Sequence, residues 1–192
     1  AAGRLAAGSP PPRADRTVAL LQAAYPGDPG VVTSLLLNPV TLQPGEAMFI
    51  PADGVHAYLH GVAVELMANS DNVLRAGLTA KHVDVPELLR NVDYVAAPPI
   101  RIAPEMFHGA TKVFYAPVDD FELSVTDLAD DEQHPLPGRG PRILLCLDGE
   151  VAVAASDDGA LTLARGQAAF VPAADGRLTV RGSGRLVQAD VP

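Results

Sequence analysis

The chain has 192 residues, of which 48% are hydrophobic and 19% are charged, a composition typical of a globular protein. Fourteen basic and 23 acidic side chains give a formal net charge of −9, which argues against nucleic acid or an anionic membrane surface as a partner. No stretch of the sequence approaches the roughly 18 consecutive apolar residues of a membrane span. The 18 prolines and 17 glycines favour many short strands joined by turns.

Residues 1–30 are predicted to form a flexible lead-in, rich in Ala, Gly and Pro, followed by the end of a helical segment. Asp15 is a candidate cap for a short helix that ends near Tyr25, with Leu21 on its apolar face. The Pro- and Gly-rich residues 26–30 then stop this helix.

Residues 31–95 are predicted to be one region, in which Val31 to about Lys81 is mainly β-structure. Short apolar runs bounded by Gly, Pro, Asn or Asp indicate strands at Val31–Asn38, Ala47–Pro51, His56–Leu59 and Val62–Met67. A short helix is expected from Asp84 to Arg90, because Pro86 lies near its first position.

Residues 96–111 are predicted to be a linker, and residues 112–192 a second β region. Its expected strands are Val113–Ala116, Phe121–Asp127, Ile143–Leu147, Val151–Ala155, Ala168–Val171 and Leu178–Val180. Neither region offers the long helices that connect parallel strands, so the sequence predicts two antiparallel β-sandwiches of jelly-roll type.

Residues 41–52 recur 121 positions later as residues 162–173, with seven identities in twelve positions and no gap. The shared pattern is a glycine turn, a short apolar strand and a proline that ends the strand. The repeat predicts a duplicated unit in which residues 45–56 and 166–177 superpose. Only the first copy then supplies a histidine, His56, and the second has Arg177 in its place.

The spacing Gly45, five residues, Pro51, four residues, His56 resembles the second signature motif of the cupin superfamily. That resemblance implies a histidine inside a small β-barrel, facing a metal. Asp53 stands where the motif usually has glycine. The predicted fold is all-β, with two cupin-type jelly-roll (double-stranded β-helix) units, the first incomplete, and one or two short helices.

Taken alone, the polar residues after Pro51 leave several interpretations open. On an extended strand, His56 and His60 would lie about 13 Å apart, too far to share one metal ion. His56 by itself also fits a hydrogen-bonded interior residue. Glu65 fits either a solvated strand face or a functional cavity.

The stretch from His56 to Val85 resembles a hallmark of the type I phosphomannose isomerase (mannose-6-phosphate isomerase) family. The matching residues are His56-Ala57-Tyr58-Leu59, Glu65, Ser70-Asp71-Asn72-Val73, Arg75-Ala76-Gly77-Leu78-Thr79, Lys81 and Asp84-Val85. Leu74 and Ala80 depart from the family's valine and proline. Two more matches, Tyr25-Pro26-Gly27-Asp28 and Pro117-Val118-Asp119-Asp120-Phe121, extend the resemblance over residues 24–190.

The resemblance implies a zinc-dependent enzyme that interconverts mannose 6-phosphate and fructose 6-phosphate through a cis-enediol. Such a step needs a Lewis acid, a base for the carbon-bound proton and cations for the phosphate. Family members hold one zinc ion with a glutamine, two histidines and a glutamate. By position in the motif, the implied roles are metal ligand for His56, catalysis for Arg75, Glu65 and Asp71, and substrate binding for Tyr58 and Lys81.

The other three zinc ligands of the family have no counterpart in this sequence. They come from a Gln-x-His pair and a later glutamate, whereas no histidine precedes His56 here. We therefore expect residues 31–95 to be the C-terminal part of the catalytic zinc cupin, and residues 112–192 to be a metal-free cupin with an apolar interior. Zinc binding is expected to be weak or absent in this chain alone.

The expected partners are a small sugar phosphate and either the missing N-terminal half or a second copy bound through the open barrel edge. The alternative function is a non-catalytic cupin module that binds a sugar phosphate or a protein. A different metal cupin would need a His-x-His set before His56, and none is present. The single cysteine, Cys146, excludes an intrachain disulfide and suits a reducing cytoplasm.

Overall fold

The computed structural model describes residues 13–70, 73–129, 131–156 and 159–191, so the predicted lead-in at residues 1–12 lies outside the described residues. The chain divides into two compact units, Ala1–Val62 with Ser70–Arg101 and Ala63–Asn69 with Ile102–Pro192. Within the described ranges, no helix is both long and apolar enough to cross a lipid bilayer.

The α-helices of the described residues lie in the first unit, and the second unit has only a short 3₁₀ turn, Ala173–Asp175, among its described residues. The α-helices are α1 (Arg13–Ala24), α2 (Gly30–Thr33) and α3 (Val85–Asn91), with a short 3₁₀ segment at Ser34–Leu36. The predicted helices near Asp15 and Asp84 are confirmed, but the predicted cap at Asp15 is wrong, because α1 already includes Arg13 and the buried Asp15 lies in its first turn. The Asp84 carboxylate caps α3 by accepting a 3.1 Å hydrogen bond from the Glu87 N–H, and proline lies in the first turn.

The predicted strand at Val31–Asn38 is wrong, because α2 and the 3₁₀ segment occupy it. Local hydrogen bonds explain the difference. The Asp28 carboxylate accepts from the Gly30 N–H at 2.7 Å, and the Asp28 carbonyl accepts from the Val31 N–H at 3.1 Å. These bonds close a turn that directs an apolar, β-branched run into helix.

The strands of the first unit are few. β1 (Ala47–Phe49) pairs with β2 (Ile100–Ile102) in a two-stranded sheet. The strands predicted at His56–Leu59 and Val62–Met67 are wrong for this chain, since residues 50–70 contain no strand. A strand needs a neighbour for its N–H and C=O groups, and no ladder reaches this segment. The predicted linker, residues 96–111, contains β2 and a further short strand.

The second unit is an antiparallel sheet of eight strands. They are β3 (Glu105–Phe107), β4 (Thr111–Phe114), β5 (Glu122–Leu128), β6 (His134–Pro135), β7 (Arg142–Ser156), β8 (Gly159–Ala164), β9 (Ala168–Val171) and β10 (Thr179–Asp190). The strand order is β3-β4-β5-β10-β7-β8, with β6 paired to β10 and β9 paired to β7. This antiparallel, non-sequential order confirms the predicted all-β class and cupin-type fold.

The sequence repeat has a structural counterpart. β1 and β9 begin at equivalent positions, Ala47 and Ala168, 121 residues apart. In the turn before β1 the Glu46 N–H donates to the Gln43 carbonyl at 3.0 Å, and the same bond, 2.9 Å long, precedes β9. In the turn after β1 the Gly54 N–H donates to the Pro51 carbonyl at 3.3 Å, and the equivalent bond after β9 is 3.1 Å. The two copies therefore share their turns as well as their strand.

An apolar core fills most of the second unit. Its buried members are Leu128, Leu136, Leu144, Cys146, Val151, Val153, Leu163, Val171, Leu178, Val180 and Leu186. Alternate residues of β5 point inward, as the period of a strand requires.

The expectation of an apolar interior throughout the second unit is wrong at one end of the sheet. Asp190 is paired in register with Arg142 on β7 and with Glu122 on β5. All three are buried. Ser124 and Gln188, which pair with each other two residues further along β5 and β10, are buried as well. The Arg142 guanidinium donates to the carbonyls of Gly138 and Gly176, and the Gln188 amide donates to the Pro137 carbonyl. Strand register thus brings together a polar cluster that the sequence pattern does not reveal.

Candidate functional site

The turn after β1 fixes the orientation of His56. The His56 Nδ1 atom lies 2.9 Å from the Gly54 carbonyl oxygen. A carbonyl can only accept a hydrogen bond, so Nδ1 is the donor, and in a neutral imidazole Nε2 is then the nitrogen with a free lone pair. Metal-binding histidines commonly hold one ring nitrogen in this way while the other nitrogen binds the metal.

Tyr58 lies beside His56. Their ring centroids are 5.9 Å apart, and the planes meet at 72°, an edge-to-face arrangement. Tyr58 is 66% exposed, so it is not part of a core. The structure therefore brings these two predicted site residues together, in a segment outside any β-ladder.

Arg75 and Lys81 lie at either end of one short loop of the first unit. Gly77 and Leu78, between them, both have positive φ angles, 133° and 52°. The Lys81 N–H donates to the Thr79 hydroxyl at 3.1 Å, which shapes the end of the loop. Arg75 is half-buried, whereas Lys81 is exposed.

The two candidate carboxylates are placed differently from the other site residues. Glu65 belongs to the segment Ala63–Asn69, which groups with the second unit. Asp71 lies outside the described residues. The first unit thus holds His56, Tyr58, Arg75 and Lys81, and the functional roles of all six residues stay predictions.

Sequence reasoning missed Asp28 as a residue of this region. Its Oδ2 atom accepts a 2.9 Å hydrogen bond from the N–H of Leu78, fifty residues later in the chain. The signal was present in the Tyr25-Pro26-Gly27-Asp28 motif, but nothing in the sequence linked that motif to the Arg75 loop.

The described residues do not form a complete zinc site. Across residues 13–70, 73–129, 131–156 and 159–191, no group of three or more His, Cys, Asp or Glu side chains is placed to hold a metal ion. A structural zinc needs four ligands, and a catalytic zinc needs three protein ligands and an open position. The hydrogen bond at Nδ1 orients His56 so that Nε2 of a neutral ring could bind a metal, but one imidazole does not hold zinc.

The chain is similar to one protein family over most of its length. The family model "Mannose-6-phosphate isomerase, cupin domain" matches residues 110–191. The mannose-6-phosphate isomerase of Escherichia coli K12 is 45% identical over 174 residues, which cover 90% of this chain and 44% of that protein. Mannose-6-phosphate isomerase 1 of Arabidopsis thaliana is 37% identical over 175 residues, covering 90% of the chain and 40% of the relative.

Solved structures give the same result. Crystal structures of phosphomannose isomerase variants from Salmonella typhimurium match with a TM-score of 0.85 and 42% identity, covering 97% of this chain and 48% of theirs. The chain therefore spans about half the length of the relatives it matches. Two of the solved variants replace a glutamate and an arginine that lie ten residues apart in that chain, which is also the spacing of Glu65 and Arg75 here.

Proposed function

Because the chain belongs to the mannose-6-phosphate isomerase family, we propose that it works as the C-terminal portion of a zinc-dependent isomerase that interconverts mannose 6-phosphate and fructose 6-phosphate. The observation that carries the proposal is the hydrogen bond between His56 and Gly54. Nδ1 is held by the Gly54 carbonyl at 2.9 Å, which leaves Nε2 available as a metal ligand.

His56 fills one of four ligand positions in this proposal, and residues outside the chain fill the other three. When bound, zinc supplies a Lewis acid for the sugar oxygen that gains negative charge.

The remaining chemistry is assigned to the chain's own polar residues. In the direction from aldose to ketose, a carboxylate removes the proton from C2 and returns it to C1, while the hydroxyl proton on O2 moves to O1. Glu65 and Asp71 are the proposed proton carriers. The Arg75 guanidinium offers two parallel N–H donors to an enediolate or a phosphate, where a lysine offers a single point charge.

Substrate binding is assigned to Tyr58 and Lys81. The exposed Lys81 ammonium suits the doubly charged phosphate, and the Tyr58 hydroxyl suits a sugar hydroxyl. The Tyr58 ring also contacts His56 edge-on, so a substrate that contacts the tyrosine would lie near the proposed metal ligand.

The match covers 44% of the Escherichia coli relative, and the proposed partner is the remaining, N-terminal portion of such an isomerase. Among the described residues of the first unit, Leu21 and Val31 are the only buried hydrophobic side chains other than alanine. Val62 and Leu36, by contrast, are 105% and 85% exposed. Apolar surface of this extent is typical of a face that another segment covers, and left uncovered it favours self-association.

A non-catalytic sugar-phosphate-binding module is the second candidate, favoured by the incomplete metal site. A further part of the proposal is a cytoplasmic location, consistent with a buried, unpaired Cys146. Burial raises the pKa of this thiol, so it remains protonated and unreactive.

The test joins the chain to the N-terminal portion of the Escherichia coli relative, either in one polypeptide or by mixing two. Isomerase turnover and zinc content are measured on the same samples. The proposal expects negligible turnover and weak zinc binding for the chain alone, and one zinc with turnover for the completed protein. Sugar-phosphate binding without turnover in the completed protein would favour the binding module. One tight zinc and full turnover in the chain alone would refute the C-terminal-portion proposal.

A further inference from the structure

The Asp28 carboxylate joins two distant segments of the first unit. One oxygen, Oδ1, accepts from the Gly30 N–H at 2.7 Å, and the other, Oδ2, accepts from the Leu78 N–H at 2.9 Å. Both bonds are part-buried, and each uses a different oxygen. Hydrogen bonds from backbone N–H groups to a carboxylate are charge-assisted and stronger than neutral ones, more so away from bulk water.

The backbone that Asp28 holds has an unusual conformation. Leu78 has a φ of 52°, in the left-handed region that non-glycine residues rarely adopt. Such a conformation is unfavourable for a residue with a side chain and persists only where surrounding contacts maintain it. The bond from the Leu78 N–H to Asp28 is one such contact.

Close packing at two glycines shows that the segments fit each other. A Cβ added at Gly30 would lie 2.9 Å from the Leu78 Cγ atom. A Cβ added at Gly77 would lie 3.1 Å from the Asp28 Oδ1 atom, and Gly77 also has a φ of 133°. The Leu78 side chain therefore occupies the space that a side chain at position 30 would need.

We propose that Asp28 is a positioning residue for the loop of residues 75–81. By fixing the backbone at Leu78, it holds Arg75 and Lys81 at the two ends of a loop with one conformation. This role rests on the proposed function, which makes Arg75 the group that stabilises charge on the substrate. Because reaction rates depend steeply on the placement of such a group, a loosened loop would lower turnover without removing any residue that contacts the substrate.

The main test variant is Asp28→Asn, which keeps the shape of the side chain. An amide has one acceptor oxygen, so it can satisfy only one of the two N–H groups and turns its own NH₂ toward the other. The matched control is Asp84→Asn. Asp84 lies in the same unit and accepts a single backbone bond, from Glu87, which an asparagine can also accept.

The first readout is amide hydrogen exchange in the chain itself, which needs no activity. In Asp28→Asn the Leu78 or Gly30 amide should exchange about tenfold or more faster, because the loop opens more often. Asp84→Asn should leave both amides unchanged. Gly77→Ala, which keeps Asp28 but crowds its carboxylate, should accelerate exchange at Leu78. Unchanged exchange of both amides in Asp28→Asn would overturn the proposal.

The second readout is turnover in the completed isomerase. Asp28→Asn should lower kcat by about 10- to 100-fold, the scale of a misplaced catalytic group, with one zinc retained. In an Arg75→Ala background the same change should have little further effect, since there is no guanidinium to position. An equal loss in both backgrounds would show a merely structural role and overturn the proposal. If the unmutated completed protein has no turnover, the proposed function fails, while hydrogen exchange still decides whether Asp28 holds the loop.

Discussion

The Gln167 Oε1 atom accepts a 2.9 Å hydrogen bond from the backbone N–H of Ala164, three residues earlier. The equivalent residues of the first unit, 121 positions before, form the same bond, in which Glu46 Oε2 accepts from the Gln43 N–H at 2.8 Å. Two different side chains thus close the same turn before β9 and β1. The duplication has preserved the geometry of the turn, while the charge of the closing side chain differs.

The bond between Glu46 and Gln43 leads to a prediction about the turn before β1. Glu46→Gln should keep the turn, because Gln167 closes the same turn with an amide oxygen. Glu46→Ala should open it. Amide hydrogen exchange at Gln43 is the measurement, with fast exchange expected in the alanine variant only. Both variants remove the charged partner of Arg101, so a difference between them reports on the turn and not on that ion pair.

Arg75 is expected to act in catalysis and not in metal binding. Arg75→Ala in the completed protein should lower turnover by more than ~100-fold, as expected when an electrostatic stabiliser of the transition state is lost. Zinc content should stay at one per protein. Arg75→Lys should recover little, because an ammonium lacks the bidentate fork.

The control for Arg75 is Arg90→Ala. Arg90 forms an exposed ion pair with Glu87 on α3, and exposed pairs of this kind contribute little to stability. Turnover should be unchanged. A similar loss in both variants, or loss of zinc in Arg75→Ala, would contradict the assigned role.

The buried polar row of the second unit should make its stability depend on pH. Burial raises the pKa of Asp190 from 3.8 to about 6, although the Arg142 guanidinium opposes the shift. Burial and the Asp190 charge also raise the pKa of Glu122. At Arg142, burial lowers the pKa, and the Asp190 and Asp175 charges oppose that shift. The folded state therefore binds more protons than the unfolded state between about pH 4 and 6, and its free energy of unfolding falls as pH rises through that range.

Denaturant unfolding of the second unit, measured from pH 4 to 7, tests this dependence. In Asp190→Asn, the free energy of unfolding should fall less steeply as pH rises. Asp119 is exposed, and Asp119→Asn should leave the pH dependence unchanged. Asp190→Asn also removes the charge opposite Arg142, which changes stability at every pH. The comparison between variants therefore uses only the slope of the free energy of unfolding against pH. An undiminished slope in Asp190→Asn would show that the carboxyl does not titrate in this range.

The sequence predicted the parts of the fold whose cause is local. Pro86 near the first helical position identified α3, and the repeated glycine-to-proline pattern identified β1 and β9. The error at Val31–Asn38 has a local cause as well. The apolar residues of that run favour a strand, but the Asp28 turn before them starts a helix.

Other features depend on contacts between residues far apart in the chain, and no sequence pattern revealed them. Arg142 and Glu122 resemble solvated strand residues until strand register places them opposite Asp190, inside the sheet. The bond from Leu78 to Asp28 spans fifty residues. The resemblance to a known family supplied the candidate roles of His56 and Arg75, while the orientation of the His56 ring required the hydrogen bond to Gly54.

The most direct test of the account is the position of zinc relative to His56 in the completed protein. A crystal structure with anomalous data at the zinc edge should show one strong peak about 2.0–2.1 Å from the His56 Nε2 atom, with Nδ1 still bonded to the Gly54 carbonyl. His56→Ala should abolish the peak and turnover together. Stoichiometric zinc bound elsewhere, with His56 outside its coordination sphere and turnover intact, would contradict the central claim that this chain supplies a metal ligand to the isomerase.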